Sequence, residues 1–193
     1  MPLPEATFKA SFNCKIENDP LSRAKGLSVL AKTDIIHIFD RESEEPVHVQ
    51  QFETTLERMK QAQKIGKSIT YTLGYSNFAF DLWMILHKAD CNGPLDHRSQ
   101  YLKPINRAFQ RKFKSMDEYK RETNFKGLLK HLSLADVWKA IDRSERIMEW
   151  NKEQGHLLHQ LYGYEYYTVN PSLSVGEVVK DIFVRCDVPR ELG

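Results

Sequence analysis

The sequence predicts an α/β fold in which a parallel sheet is flanked by helices and followed by a helical extension. Three segments have strand patterns, at residues 8–16, 35–39 and 69–73. The segments between them have apolar residues at helical spacing. This strand–helix–strand order with short links is typical of right-handed βαβ units. With 193 residues, 41% of them hydrophobic, the chain is long enough for one domain with its own core. We predict a single domain over residues 1–193, with an α/β core at about 7–89 and a helical continuation at about 90–193.

The first predicted elements follow from the period of the apolar residues and from the residue types that cap helices. Alternating apolar residues over Phe8–Ile16 predict a strand. Asp19 and Pro20 then have the residue types of an N-cap and a first helical position, so a short helix is expected to begin there. The nearly continuous apolar run Ile35–Phe39 predicts a strand buried on both faces, as in parallel sheets.

A helix and a third strand come next. The apolar spacing after Val49 predicts a helix that ends with Gly66 in the C′ position. The alternation in Ile69–Leu73 predicts the third strand, and the apolar segment Phe78–Lys88 predicts a helix directly after it.

The second half is predicted to be mainly helical. Ser115, Ser133 and Ser174 each precede a helical pattern and have capping-box spacing or the residue type of an N-cap. Tyr162–Val169 is aromatic and β-prone but short, and Asn170-Pro171 has the composition of a turn.

Several classes of protein are excluded by what the sequence lacks. It has no apolar run near the roughly 20 residues of a membrane span, and its first residues have no signal-peptide pattern. Its three cysteines are far apart, which argues against a disulfide framework or a CxxC metal site. We also find no GxGxxG or Walker A loop and no Gly-x-Ser-x-Gly elbow. We therefore expect a cytoplasmic protein without a membrane partner.

Positive charge is concentrated in one segment. Arg98–Lys130 contains ten lysines and arginines but three acidic residues, a local charge of +7 on a chain whose total is +2. Such a field suits a polyanionic partner, although a solvated helical face has the same composition. We predict that nucleic acid, DNA or RNA, contacts Arg107, Arg111, Lys112 and Lys114.

Acidic residues follow the predicted second strand. Sites in open α/β sheets form beyond the carboxyl ends of the strands, and Asp40 and Glu42 stand at such an end. Grouped carboxylates are ligands for a hard cation such as Mg²⁺. Asp40 could instead cap the following loop. Glu17 ends the first predicted strand, and its carboxylate would join the other two if the strands are neighbours.

A polar group also follows the third strand. Ser76 and Asn77 come directly after it, Asp81 lies four residues beyond Asn77, and His87 lies six beyond Asp81. We predict that Asn77 caps the helix and also faces a ligand. Polar residues on an otherwise apolar segment suggest a site, so all four are candidates.

Three segments together resemble known families. Ile36–Glu42 resembles the strand and acidic tip of TOPRIM domains, and Ser76–His87 and Asn170–Val175 resemble two segments of the RloB-like family. The resemblance spans roughly Phe8–Phe183. It departs from the family pattern at Asp81, where a Glu is usual, and at Phe78-Ala79, where Pro-Cys is usual.

The resemblance implies a TOPRIM fold and a role linked to bacterial restriction–modification and abortive infection, that is, antiviral defence. It also implies an ATPase of the same locus as a partner, and phosphodiester cleavage with Mg²⁺ or Mn²⁺. Asp40 and Glu42 then match the family's metal-binding acids. The N-terminal Glu-Gly motif is not found, so the chain is truncated, the site is degenerate, or Glu17 or another subunit supplies the missing catalytic carboxylate.

Three functions are consistent with these features. The first is a nuclease that uses Asp40 and Glu42. The second is a catalytically decayed TOPRIM module that binds an ATPase or nucleic acid. The third is a metal-dependent phosphohydrolase of small nucleotides, which the absence of a phosphate loop disfavours.

Overall fold

The computed structural model describes residues 19–29, 31–93, 95 and 97–190, and shows a mixed α/β fold. The predicted strand Phe8–Ile16 and the candidate Glu17 lie outside this range. The elements in chain order are α1 (Pro20–Gly26), β1 (Thr33–Arg41), α2 (Pro46–Ala62), β2 (Ile69–Asn77), α3 (Asp81–Leu86), a 3-10 turn (Arg98–Tyr101), α4 (Leu102–Ala108), α5 (Met116–Lys120), α6 (Glu122–Leu129), α7 (Leu134–Glu153), β3 (Leu158–Leu161), β4 (Tyr164–Tyr167), β5 (Ser172–Leu173) and α8 (Val175–Arg185).

The main sheet has the order β1-β2-β5 among the described residues and is mixed. β1 and β2 are parallel and in register from the pair Thr33–Ile69 to the pair Arg41–Asn77, which confirms the β1–α2–β2 unit. The short β5 is antiparallel to the end of β2. The sheet is therefore mixed rather than parallel as predicted, because a segment about 95 residues further along the chain pairs with β2 in the antiparallel direction.

β1 is less buried than its apolar sequence predicts. Its side chains are mostly half-buried, and Ile38 is 44% exposed. The prediction of burial on both faces is wrong, because an apolar run reports the residue types of a strand and not the layers that cover it.

The predicted helix starts are largely confirmed. The Asp19 carboxylate accepts hydrogen bonds from the backbone amides of Leu21 and Ser22, and Pro20 opens α1. Ser133 forms a full capping box with Asp136. The prediction that the Ser174 side chain caps α8 is wrong, because its hydroxyl bonds the backbone of β2 instead.

Two helix bounds differ from prediction. α2 begins at Pro46 and ends at Ala62, so Gly66 is not its C′ residue; with φ of +81° it lies in the turn before β2. α3 covers only six residues, and its N-cap is Phe80 rather than Asn77. Asn77 belongs to β2, where its side chain bonds other backbone carbonyls.

The aromatic segment before residue 170 forms a β-hairpin. β3 and β4 are antiparallel and joined by Tyr162 and Gly163, whose φ angles are +53° and +90°. Two positive φ angles in a two-residue loop fit a type I′ turn, which matches the twist of paired strands. The predicted helical continuation therefore contains a hairpin as well as helices.

The two faces of the sheet support two cores. Tyr71, Leu73 and Tyr75 of β2 pack with α1, α2 and the hairpin. On the other side α3, α7 and α8 form the second core with the helices of residues 98–129. Gly74 of β2 lies where the strand meets α8, and a Cβ at this position would come within 2.9 Å of Ile38 and 3.3 Å of Val178. No helix in the described part of the chain is both long and apolar enough to span a bilayer.

Candidate functional site

Strand alternation separates the polar residues at the end of β1. Successive side chains of a strand point to opposite faces, so Asp40 and Arg41 are directed to different sides of the sheet. Asp40 stands beside Ser76 in the register, on the face shared with α3. Arg41 stands beside Asn77 and is directed towards the segment after the hairpin. The edge therefore carries two polar clusters.

The first cluster is an acidic pair formed by Asp40 and Asp81. The pKa of Asp40 is raised from 3.8 to about 7, chiefly by burial and next by the Asp81 carboxylate. The Lys120 ammonium and a hydrogen bond from the Phe80 backbone amide act against this rise but do not cancel it. Like charges at a desolvated position explain why Asp40 holds its proton so strongly.

Lys120 completes this cluster from α5. Its Nζ lies 3.0 Å from Oδ2 of Asp81, whose side chain is 3% exposed. The contact is an ion pair whose angles are not those of a hydrogen bond, so Oδ2 has no hydrogen-bond partner within the described chain. The hydroxyl of the fully buried Tyr119 is likewise unpartnered by geometry, and its pKa is raised by burial and then by Asp81.

These two unsatisfied oxygens lie at the acidic pair. Buried polar atoms nearly always have a partner, and here the Tyr119 hydroxyl faces the Asp81 carboxylate, with the Lys120 ammonium beside it. The side chains of Tyr119 and Lys120 therefore meet at Asp81.

The second cluster is built around Arg41, which is 3% exposed. Its guanidinium makes two hydrogen bonds with the Glu44 carboxylate, at 2.6 and 2.8 Å, and a longer one with the Thr168 carbonyl. Asn77 donates from Nδ2 to the carbonyls of Thr168 and Val169, both at 2.7 Å. The cluster therefore fastens the segment after the hairpin to the sheet edge.

Glu42 stands apart from both clusters. Its side chain is 64% exposed, and its carboxylate lies 3.4 Å from Nε2 of His48. It contributes only the weakest of the effects that raise the pKa of Asp40. Among the carboxylates, Asp81 therefore has a larger effect on the pKa of Asp40 than Glu42 has.

Ser76 and His87 have local structural partners. Ser76 is fully buried and donates to the Ala79 carbonyl at 2.8 Å, which holds the turn before α3. His87 donates from Nδ1 to the Trp83 carbonyl and packs edge-on against the Trp83 ring. Burial lowers the pKa of His87, so this side chain is a neutral core residue at neutral pH.

The predicted nucleic-acid contacts are on the surface. Arg107 is exposed on α4, while Arg111, Lys112 and Lys114 are exposed in the segment that follows. None of the four has an ion-pair partner among residues 19–29, 31–93, 95 and 97–190. Their charges are therefore available to a polyanion. Arg107 also lines a small cleft of about 240 Å³ beside Cys91.

Sequence reasoning missed the roles of Tyr119 and Lys120. Both were part of a basic, helix-forming segment, and the capping pattern at Ser115 correctly placed the start of α5. Nothing in the spacing indicates that this helix, about 80 residues after β1, packs against its carboxyl end. An aromatic residue followed by a lysine is a common helical pair, so no local signal could have identified them.

The donor set at this edge fits a hard cation. Asp40 and Asp81 supply carboxylate oxygens, the ligands that Mg²⁺ prefers, and one or two protein carboxylates suffice for that ion. Among the described residues no group of three His, Cys, Asp or Glu side chains is arranged to hold a metal ion. Asp40 and Asp81 are the residues at this edge whose carboxylates could hold a divalent cation.

Comparison with known proteins identifies one family. The model of the RloB-like protein family matches residues 12–182, which is most of the chain. No curated protein and no solved structure gives a significant match. The match includes β1 with Asp40, the Ser76–His87 segment, α5 and the start of α8. The chain therefore belongs to the RloB-like protein family.

Proposed function

We propose that this protein is a TOPRIM-like nuclease linked to antiviral defence or restriction, which binds nucleic acid and cleaves phosphodiesters with Mg²⁺ or Mn²⁺. The observation that carries the proposal is the pair of carboxylates at the carboxyl edge of two parallel strands, Asp81 buried and Asp40 half-buried. Ligand sites of open α/β sheets form at this edge.

The electrostatics of the pair support a cation site. Two carboxylates in a desolvated position repel each other, which contributes to the raised pKa of Asp40. A divalent cation between them would offset that repulsion and favour the ionised form of Asp40. The buried Oδ2 of Asp81, without a hydrogen-bond partner in the described structure, is the atom best placed to gain such a ligand.

Each group then has a role in phosphodiester cleavage. A bound Mg²⁺ would stabilise the charge that develops on the phosphate and on the leaving oxygen. Asp40 and Asp81 would hold the cation. Lys120 is 36% exposed and would present its ammonium to a phosphate oxygen, while Arg107, Arg111, Lys112 and Lys114 would hold the backbone.

The TOPRIM assignment rests on family membership and the acidic strand tip. Glu42 follows Asp40 as the second acid of the tip, and its exposed side chain is free to turn towards a metal and water. We propose it as an outer ligand, secondary to Asp81. We propose an ATPase of the same locus as partner, which follows from the family resemblance, and we propose the cytoplasmic location that the sequence analysis predicts.

The nuclease proposal is tested by neutralising each acid. Asp40→Asn and Asp81→Asn should each reduce Mg²⁺- or Mn²⁺-dependent cleavage of plasmid, single-stranded DNA or tRNA by about 100-fold or more, since each removes a proposed metal ligand. Glu149→Gln is the matched control, because Glu149 is exposed on α7 and forms no ion pair within the described chain. Cleavage that persists unchanged in both Asn variants would contradict the proposal.

A second candidate is a catalytically decayed module that binds an ATPase or nucleic acid. It is favoured by Lys120, whose ammonium already neutralises Asp81, as a structural ion pair would. In that case calorimetry should detect no Mg²⁺ or Mn²⁺ binding, and nucleic acid should bind without turnover. Metal binding that is abolished by Asp81→Asn would instead favour the nuclease.

A further inference from the structure

The segment between α4 and α5 is an ordered basic loop. Residues 110–114, here called the basic loop, carry Arg111, Lys112 and Lys114 around one aromatic residue, Phe113. Gln110 begins the loop with φ of +52°, which turns the chain away from α4. Exposed basic loops are commonly mobile, so the contacts that hold this one need an explanation.

Asn106 clamps the loop to α4. Its Nδ2 donates to the Phe113 carbonyl at 2.9 Å, and its Oδ1 accepts from the Phe113 amide at 2.8 Å. The Asn106 carbonyl also accepts from the Arg111 amide at 2.9 Å. One residue therefore bonds the backbone of the loop three times, which holds the lysines and the arginine outwards without using their charges.

The other end of the loop is tied to α5. The Lys114 amide donates to Oε2 of Glu118 at 2.6 Å, and the Ser115 hydroxyl accepts from the Glu118 amide. The Phe113 ring packs against the fully buried Tyr119, with ring centroids 5.9 Å apart. The loop and α5 therefore form one packed body.

That body ends at the acidic pair. Tyr119 and Lys120 are consecutive residues at the end of α5, and both are directed at Asp81. The five residues of α5 span about 7.5 Å at about 1.5 Å per residue. Phosphates of one strand follow each other at about 3.4 Å along a duplex axis, so this length corresponds to about two nucleotides.

From these contacts we infer that residues 106–120 form a preorganised binding surface for a nucleic-acid backbone. The backbone is held by Arg111, Lys112 and Lys114 and led along α5 to Lys120 at the acidic pair. Asn106 is a positioning residue that touches no phosphate itself. The inference rests on the proposed function, and it adds the path of the substrate and the residue that sets it.

The proposed binding surface is tested by removing the positive charges of the basic loop with substitutions that leave the fold unchanged. In the triple variant Arg111→Gln, Lys112→Gln, Lys114→Gln we expect weaker binding of fluorescent oligonucleotides. The slope of log K against log salt should fall by about 2 for single strands or about 3 for duplex. DNA and RNA, each single- and double-stranded, are titrated in separate arms without divalent cation.

The matched control removes the same charge elsewhere. Lys64, Lys139 and Lys152 are exposed and form no ion pair within the described residues, so their triple Gln variant has the same net charge. It should keep the wild-type salt slope. Equal losses in the two triple variants would overturn the inference, because binding would then depend on total charge rather than on this surface.

Asn106→Ala tests the clamp separately. It leaves every charge in place, so we expect about tenfold weaker binding with the salt slope nearly unchanged, because the loop must now be ordered on binding. Wild-type affinity in this variant, with an unchanged melting temperature, would overturn the role of Asn106. If the wild type binds none of the four nucleic acids, the proposed function itself fails. Binding by the wild type that the basic-loop triple variant retains contradicts this inference alone.

Discussion

Asp40 shows how the surroundings of one residue set its chemistry. Its carboxyl lies at a desolvated strand end beside a second acid, and burial is the largest cause of its raised pKa. The neighbouring Arg41 in the same strand is directed to the other face, so its guanidinium pairs with Glu44 instead of Asp40. Strand alternation thus directs the positive charge that is adjacent to Asp40 in sequence away from the acidic pair.

Asp40 is expected to make stability depend on pH. Its pKa is higher in the folded state, at about 7, than its ordinary value of 3.8. The protonated form is therefore favoured by folding, and this contribution is complete below about pH 4 and lost as pH rises through 7. Three pKa units correspond to at most about 4 kcal/mol.

The measurement is urea unfolding between pH 4 and 8 with EDTA. Asp40→Asn should flatten the decline in the free energy of unfolding and should be more stable than the wild type at pH 8. Asp187→Asn serves as control, because Asp187 is exposed and forms no ion pair in the described structure. An identical pH profile for wild type and Asp40→Asn would show that the carboxyl is not desolvated as described.

At the scale of elements, the contact between α7 and α8 is unusually close. A Cβ built on Gly176 would lie 1.8 Å from Oγ and 2.8 Å from Cβ of the buried Ser144. Ser144 also donates its hydroxyl to the Ile141 carbonyl, so it has little freedom to move. The glycine is needed here for space and not for a special backbone angle.

Gly176→Ala should therefore destabilise the protein by about 2–3 kcal/mol, because the two helices must separate to admit a methyl group. Gly127→Ala is the matched comparison on α6, where no atom lies within 4 Å of the added Cβ. There alanine should stabilise the helix by about 0.5–1 kcal/mol. Chemical denaturation measures both, and equal effects at the two positions would contradict the described packing.

The contacts between elements also explain which predicted N-cap residues cap their helices. Asp19, Ser115 and Ser133 cap their helices because their hydrogen bonds are local and need only the next turn. Ser174 has the same residue type but bonds the backbone of Leu73 and Tyr75 in β2. A long-range partner replaced the local one, which no spacing rule could indicate.

At the scale of the whole molecule, residues in the last third of the chain bond strands β1 and β2 of its first half. β5 pairs with the end of β2, and Ser174 bonds β2 a hundred residues away in sequence. Asn77 and Arg41 hold the Thr168 carbonyl from the opposite side. These ties make the segment after the hairpin part of the sheet that carries the acidic pair.

Asn77→Ala tests the importance of this closure. It removes two hydrogen bonds and leaves the buried carbonyls of Thr168 and Val169 with fewer donors, so we expect a loss of about 2–4 kcal/mol in the free energy of unfolding. Asn92→Ala, at an exposed position, should change it by less than about 0.5 kcal/mol. A similar small effect at Asn77 would show that the segment is held by other contacts.

The sequence by itself determined the local elements and the family of this protein. The period of apolar residues located β1, α2, β2, α7 and α8, and two segments, Ser76–His87 and Asn170–Val175, indicated the RloB-like family that the family model confirms. It also marked Asp40 and Asp81 as candidates, because acids at strand and helix ends are visible in one dimension. These features depend on neighbours within a few residues, which is the range that periodicity and capping report.

Only the tertiary structure decided which candidates meet. It brought Asp81, Tyr119 and Lys120 to Asp40, left Glu42 exposed beside His48, and buried His87 against Trp83. The meeting of Asp40, Asp81 and Lys120 depends on how α3 and α5 pack on one face of the sheet, and thus on contacts between residues about 40 to 80 positions apart. Desolvation and like-charge repulsion exist only once that packing is formed, so the chemistry of Asp40 could not be predicted from its position in the sequence.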